Sequence, residues 1–234
     1  MSKRPRLLLL PGLISDRIVW RATIDLLSPM MPVAVGDLTS QDSITAMAED
    51  MLARHDGPLH VAGHSMGGRV ALEMLRLAPD RVLRLALLNT GINPKKEGEE
   101  EKRQAMIDFA HAHGMTALAA RWLPPMLAPG REQDPAIMAL LTAMVERSTP
   151  EIHERQMRAL LARPDGREAA AAITCPLLLV VGRQDAWSPV AQHEEIAAAA
   201  TGTRAKLVVV EDAGHFAPVE QPGAVADALA AWAL

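Results

Sequence analysis

The chain has 234 residues, 49 % of them apolar and 22 % charged, a balance that fits one sizeable soluble domain with room for a small inserted subdomain. The formal net charge of −4 excludes a general electrostatic pull toward nucleic acid or an anionic membrane surface. A single cysteine, Cys175, excludes an internal disulfide; next to Pro176 and with no charged neighbour, it reads as a small buried hydrophobe rather than a reactive thiol.

The basic start of the chain, followed by Leu7 to Leu10, looks superficially like a signal peptide. The apolar run breaks at Pro11-Gly12, too short for a signal core or a bilayer span, and no other stretch is long and charge-free enough to cross a membrane. The expectation is a cytoplasmic protein. Short apolar runs bounded by turn residues then recur at 6–10, 32–36, 59–63, 83–88, 177–182 and 206–210. They are continuous rather than alternating, as in parallel strands covered on both faces. Helical patterns at 43–54, 66–77 and 190–200 are long enough to serve as crossovers, so the predicted fold is a doubly wound, mostly parallel α/β sheet of about six strands.

Between 93 and 172 the alternation stops. This segment has helical patterning interrupted by Pro124-Pro125, Pro129-Gly130, Pro135 and Pro164, and it carries six methionines, among them Met126 and Met157. It is too long for a simple crossover and reads as a helical cap inserted into a core made of 1–92 and 173–234. An ordinary helical layer with methionine filler is the alternative. The charge run at 97–103 is expected to be a solvated helix face, with Glu99 paired to Arg103. His111 and His113, two apart on a helix, point to different faces, so no metal site is expected.

The strongest chemical signal is Gly63-His64-Ser65-Met66-Gly67, a G-x-S-x-G sequence directly after a predicted strand and before a predicted helix. A sharp strand-to-helix turn projects the Ser65 hydroxyl from the C-terminal sheet edge, near the helix amides. Serine is a weak nucleophile at neutral pH and needs a base. Of the eight histidines, His215 lies in a loop just past the last predicted strand, where strand ends converge on one crevice. The acid that would orient it is Asp185, in Gly182-Arg183-Gln184-Asp185, past the preceding strand; Asp37 and Asp212 are weaker candidates, and Asn89, at the end of the strand before the insert, lacks the charge. The backbone amides of Met66 and of Leu13, in the loop Pro11-Gly12-Leu13-Ile14, are the expected oxyanion donors.

Together, the LLLLPG loop, the GHSMGG turn, the G-R-Q-D-x-x-x-P loop and the D-A-G-H-F loop, in the order Ser, Asp, His, resemble the α/β-hydrolase superfamily over essentially the whole chain. The pattern is most similar to small bacterial esterase-like members, such as pimeloyl-carrier-protein methyl esterases and enol-lactone hydrolases. It departs from many members in three ways. Pro11-Gly12 stands where a His-Gly pair is common, the loop after the second strand is reduced to residues 36–40, and, with the first run at 6–10 resembling the family's third strand, the leading antiparallel hairpin is expected to be absent.

The resemblance implies a two-step acyl transfer on a small ester, with no cofactor and no metal. Trp20, Trp122, Met126, Trp187 and Phe216 are expected to line an apolar pocket suited to an apolar acyl group. Carbon–carbon bond hydrolysis or an elimination on the same three residues is the rival chemistry, and non-catalytic ligand binding the rival class.

Overall fold

The computed structural model describes residues 5–234, so Met1, Ser2, Lys3 and Arg4 lie outside it. Six strands form one sheet: β1 (Arg6–Leu10), β2 (Val33–Val35), β3 (Leu59–His64), β4 (Val82–Leu88), β5 (Leu177–Gly182) and β6 (Lys206–Val210). Their spatial order is β2-β1-β3-β4-β5-β6 and every pairing is parallel. The strands fall where the apolar runs place them, with ends shifted by one residue at β2, β3 and β4.

Every residue of β3 and β5 is buried. Successive strand residues point to opposite faces, so both faces must be covered. Two helical rows supply that cover. One is α1 (Arg21–Leu27) packed on α10 (Pro222–Ala233); the other runs from α2 (Ile44–Arg54) to α3 (Met66–Leu77) and, through α7 (Arg167–Ala171), to α8 (Val190–Ala199). Ser43 caps α2 by accepting from the Ala46 amide, as its position before an apolar periodic segment implies.

The long connection from β4 to β5 is helical and holds no strand among the described residues. It contains α4 (Glu99–Trp122), α5 (Pro135–Glu146) and α6 (Pro150–Leu161), with α4 packed against both of the others. Pro135, read in the sequence as a break, is a helix start, as is Pro150. Each occupies the first helical position, where a missing N–H costs nothing, behind Asp134 and Thr149, whose side chains accept from the first-turn amides. Gly114, with φ of 79°, breaks α4 into two limbs. The last helix of the segment, α7, lies against α3 and α8, so the helical bulge that faces the sheet edge ends before it.

Three tethers fix this bulge to the sheet layer. The buried Gln156 of α6 donates to Leu38 O (2.9 Å) and accepts from Ile14 N (2.7 Å). His215 N donates to Met126 O at 2.7 Å. Glu220, at the end of the short helix α9 (Ala217–Glu220), accepts from Ala128 N (2.8 Å) and Gly214 N (2.9 Å). No helix among the described residues is long and apolar enough to cross a membrane.

Candidate active site

β3 ends at His64 and α3 starts at Met66, leaving one residue to turn the chain. That residue, Ser65, has φ 54° and ψ −116°, a region that L side chains rarely occupy and that costs of order 1–3 kcal/mol. The surroundings impose it. Ser65 N donates to Leu88 O, and Ser65 O accepts from Gly68 N and from the Thr90 hydroxyl. The flanking glycines follow from proximity. A Cβ on Gly63 would lie 2.1 Å from Gly67 O, and one on Gly67 would lie 2.2 Å from Leu10 O.

The loops after β5 and β6 carry the other two expected residues to the same place. His215 Nε2 lies 2.8 Å from Ser65 Oγ, and His215 Nδ1 lies 2.9 Å from Asp185 Oδ2. Asp185 is almost fully buried. Its Oδ1 accepts from the amides of Trp187 (2.8 Å) and Ser188 (2.9 Å), and its Oδ2 also accepts from Asn89 Nδ2 (2.9 Å). Burial alone favours the neutral acid, but the adjacent His215 and the hydrogen bonds from Ser188 and Asn89 outweigh it and hold the carboxyl well below the usual carboxylate range. An ionised Asp185 accepts only, so His215 carries its proton on Nδ1 and presents the Nε2 lone pair to the Ser65 hydroxyl.

Two residues that sequence reasoning left aside complete this arrangement. Asn89, at the end of β4 with φ 47°, bridges the acid and histidine loops by donating to both Asp185 Oδ2 and Gly214 O. Its lack of charge, which disqualified it as the acid, is what lets it donate. His64 donates from Nε2 to His215 O at 2.8 Å; full burial, then the nearby His215, pushes its pKa down to about 3, so it stays neutral. The only sequence signal for either is position, one residue beyond a strand or next to the serine.

The loop after β1 crosses above the serine. A Cβ on Gly12 would meet Ser65 Cβ at 3.1 Å and His64 Nδ1 at 3.2 Å. The next residue, Leu13, borders the same cavity as Met66, and neither amide donates to another group among the described residues.

Ser65 and His215 open into a cavity of about 630 Å³ between the sheet edge and the insert. Trp122, Met126 and Trp187 line it, Trp187 half-exposed at the mouth. Trp20 and Phe216 do not line it, contrary to the sequence expectation. Trp20 is fully buried with its ring perpendicular to that of His64, and Phe216 sits between the rings of His64 and Trp122. Adjacent loop residues diverge, so with His215 aimed at the cavity Phe216 is turned into the core behind it.

Apolar side chains such as Met106, Trp122, Met126, Met157 and Leu160 line the cavity and most of the charge run is exposed, both as expected, but charged side chains reach the cavity as well. Glu97, Glu99, Lys102 and Arg103 of the run border the cavity; Glu97 and Lys102 stay exposed at its rim, and Glu99 and Arg103 are partly buried. Glu99 pairs with Arg103 (2.8 Å), as expected, and is also held at 2.7 Å by the buried Arg163, a partner that no local sequence pattern indicates. Burial opposes ionisation of Glu99, yet the Arg163 and Arg103 guanidiniums pull its pKa down to about 2.

The pattern of the alpha/beta hydrolase family matches residues 7–228. A pimeloyl-[acyl-carrier protein] methyl ester esterase of Nitrosomonas europaea is 26 % identical over 226 residues, covering 90 % of this chain and 88 % of that protein. Its counterpart in Neisseria meningitidis serogroup B is 28 % identical over 179 residues, 74 % of this chain and 67 % of the relative. Among solved structures, a thermophilic esterase from Thermogutta terrifontis superposes with a TM-score of 0.88 at 27 % identity, covering 100 % of this chain and 90 % of that one. The enol-lactonase of Burkholderia xenovorans LB400 shares the fold, with a TM-score of 0.87 at 24 % identity over 99 % of this chain and 94 % of the other. With nearly its whole length matched, the chain belongs to the alpha/beta hydrolase family.

Proposed function

We propose that the protein is a serine hydrolase that cleaves a small carboxylic ester through an acyl-enzyme intermediate, with residues 93–172 as the cap over its site. The observation that carries this reading is the continuous hydrogen-bonded line from Ser65 Oγ through His215 to Asp185, placed at the inner wall of a cavity large enough for a small molecule. The esterase names of the relatives agree with it.

In the first step Ser65 Oγ attacks the ester carbonyl while His215 Nε2 takes the hydroxyl proton, and Asp185 stabilises the imidazolium that forms. The amides of Leu13 and Met66 receive the oxyanion, at the positive end of α3. His215 then protonates the leaving alcohol, and in the second step it activates the water that releases the acid.

A fluorophosphonate probe is expected to label the folded protein and not Ser65→Ala, and hydrolysis of a short 4-nitrophenyl ester is expected to fall by roughly 10⁴-fold or more in that variant. Labelling that persists undiminished in Ser65→Ala would overturn the reading. A diketone panel run beside the ester panel separates carbon–carbon cleavage from ester hydrolysis.

A further inference from the structure

The cavity bordered by Ser65 carries six cationic side chains, Arg69, Lys96, Lys102, Arg103, Arg121 and Arg163, against the two carboxylates of Glu97 and Glu99. The exposed rim residues are screened by solvent and decide little. The inner group is different. Glu99 is shared by Arg103 and Arg163, and Arg163 is further satisfied by the carbonyls of Asn93, Pro94 and Leu160. Arg69 is left over. Among the described residues its guanidinium donates only to the backbone carbonyl of Asn93, at 3.1 Å, and it forms no ion pair. The other carboxylate that influences it, Asp165, is engaged by Arg167 and does not border this cavity.

Arg69 is the fourth residue of α3, the helix that Ser65 immediately precedes, and it borders the same cavity as Ser65. Side chains on a helix lean toward its N-terminus, which here is the end that carries Ser65. Gly91, whose missing side chain leaves the space, places Gln192 and Arg69 side by side at the cavity wall: a Cβ there would meet Gln192 Oε1 at 2.2 Å and Arg69 Nη2 at 3.8 Å. Burial first, and then the like charge of Arg163, lower the Arg69 pKa to about 9, which still leaves it cationic at neutral pH. Three guanidiniums around one carboxylate repel one another in a water-poor wall, and a bound anion relieves that repulsion.

We propose that the substrate is an anionic ester whose remote carboxylate is captured by Arg69 while its ester carbonyl sits at Ser65. The inference rests on the serine-esterase reading for the chemistry and on Arg69 for the charge. A guanidinium with an open fork matches a carboxylate in two parallel hydrogen bonds, and the Gln192 amide lies within the same wall to supply another donor. Hydrolysis of such a substrate adds water across the ester C–O bond, releasing the alcohol and a dicarboxylate. Arg69 is a specificity-determining residue in this scheme and takes no proton in the reaction.

The test compares 4-nitrophenyl hydrogen glutarate, a monoanion at pH 7, with the uncharged 4-nitrophenyl pentanoate. In Arg69→Met the ratio of kcat/KM for the anionic over the uncharged ester is expected to fall about tenfold or more, and Arg69→Lys is expected to recover part of it. Arg69→Gln is read in the same way should the methionine variant fail to fold. A ratio within twofold of wild type, with both esters falling together or neither falling, overturns the proposal. On the wild-type protein alone, glutarate is expected to inhibit or to raise the unfolding temperature at concentrations about tenfold below those needed for glutaramide at equal ionic strength. Should neither ester be turned over, that binding comparison in wild type and Arg69→Met still decides. Glutarate protection lost in the variant upholds the anion subsite while the esterase reading fails, and equal protection overturns the subsite itself.

Discussion

The two walls of the cavity are made differently. On the sheet side, Ser65, His215 and Asp185 hang from the ends of β3, β6 and β5 and are held by short hydrogen bonds: the strained Ser65 backbone to Leu88, Gly68 and Thr90, and the Asp185 carboxylate to four donors. On the insert side, α4 and the segment after α6 present long charged side chains, with Arg69 of α3 facing them, and α4 is broken at Gly114. The strand ends position atoms for one fixed geometry, as chemistry requires, whereas the helical wall sets what that geometry is offered. Sites built on rigid elements tolerate little displacement; a charged wall of flexible side chains tolerates substitution and changes preference instead.

The largest expected effect lies on the sheet side. Asp185→Asn keeps the shape but places an amide beside Asn89 Nδ2 and His215 Nδ1, so the ring loses the partner that fixes its tautomer. A fall in kcat of about 10⁴-fold is expected in steady-state ester hydrolysis, with little change in KM. A loss of less than tenfold would mean that Asn89 and the loop amides, rather than the carboxylate, orient His215. Next comes Gly12→Ala. Its new Cβ must displace Ser65 Cβ or His64 by a few tenths of an ångström, and a roughly 10- to 10²-fold fall in kcat is expected with the unfolding temperature nearly unchanged. An equal loss in stability and activity would show that the loop, rather than the reacting geometry, had been disturbed.

How much of this was legible in the chain depends on the same contrast. The strands and Ser65, Asp185 and His215 could be read because a parallel strand buried on both faces leaves a continuous apolar run, and the residues just past such runs meet at one edge. The Gly63 and Gly67 spacing is likewise a local requirement visible in the letters. The insert side was not readable in that way. A charged helical stretch such as 97–103 has the same composition whether it faces water or a cavity, and only the packing of α4 on α6, with Arg163 brought in from beyond α6, decides which. Trp20 and Phe216 were misplaced for a related reason: aromatic size marks burial, and burial behind His64 looks the same in sequence as burial against a ligand. Arg69 carried the one usable signal, its place near the start of the predicted helix that directly follows Ser65.

The tie between the walls can be loosened directly. Gln156→Leu removes the side chain that joins α6 to Leu38 O and Ile14 N, leaving a buried amide and a buried carbonyl without partners. A loss of about 1–3 kcal/mol in chemical unfolding is expected, with a smaller fall in kcat through the neighbouring Leu13 amide. If stability falls while kcat stays at the wild-type value, the insert holds the fold but does not position the oxyanion loop.

The smallest expected effect separates the walls by pH. His153, buried in α6 with neither ring nitrogen partnered among the described residues, has its pKa lowered to about 4 by burial first and then by His111 and Arg103. In the unfolded chain the same ring titrates near 6.5, so unfolding takes up a proton between these values. Its contribution to stability is therefore intact above about pH 6.5, is lost as pH falls toward 4, and levels off below. That loss amounts to roughly 1.4 kcal/mol per pH unit for one histidine. His64, lowered to about 3 beside His215, acts in the same direction from the sheet side. In urea titrations from pH 7 to pH 4, His153→Leu is expected to flatten the acid decline by one histidine's share and to leave the His64 share in place. An unchanged slope would mean that the insert opens to solvent before the sheet unfolds, so that His153 is protonated without global unfolding and the two walls do not melt as one unit.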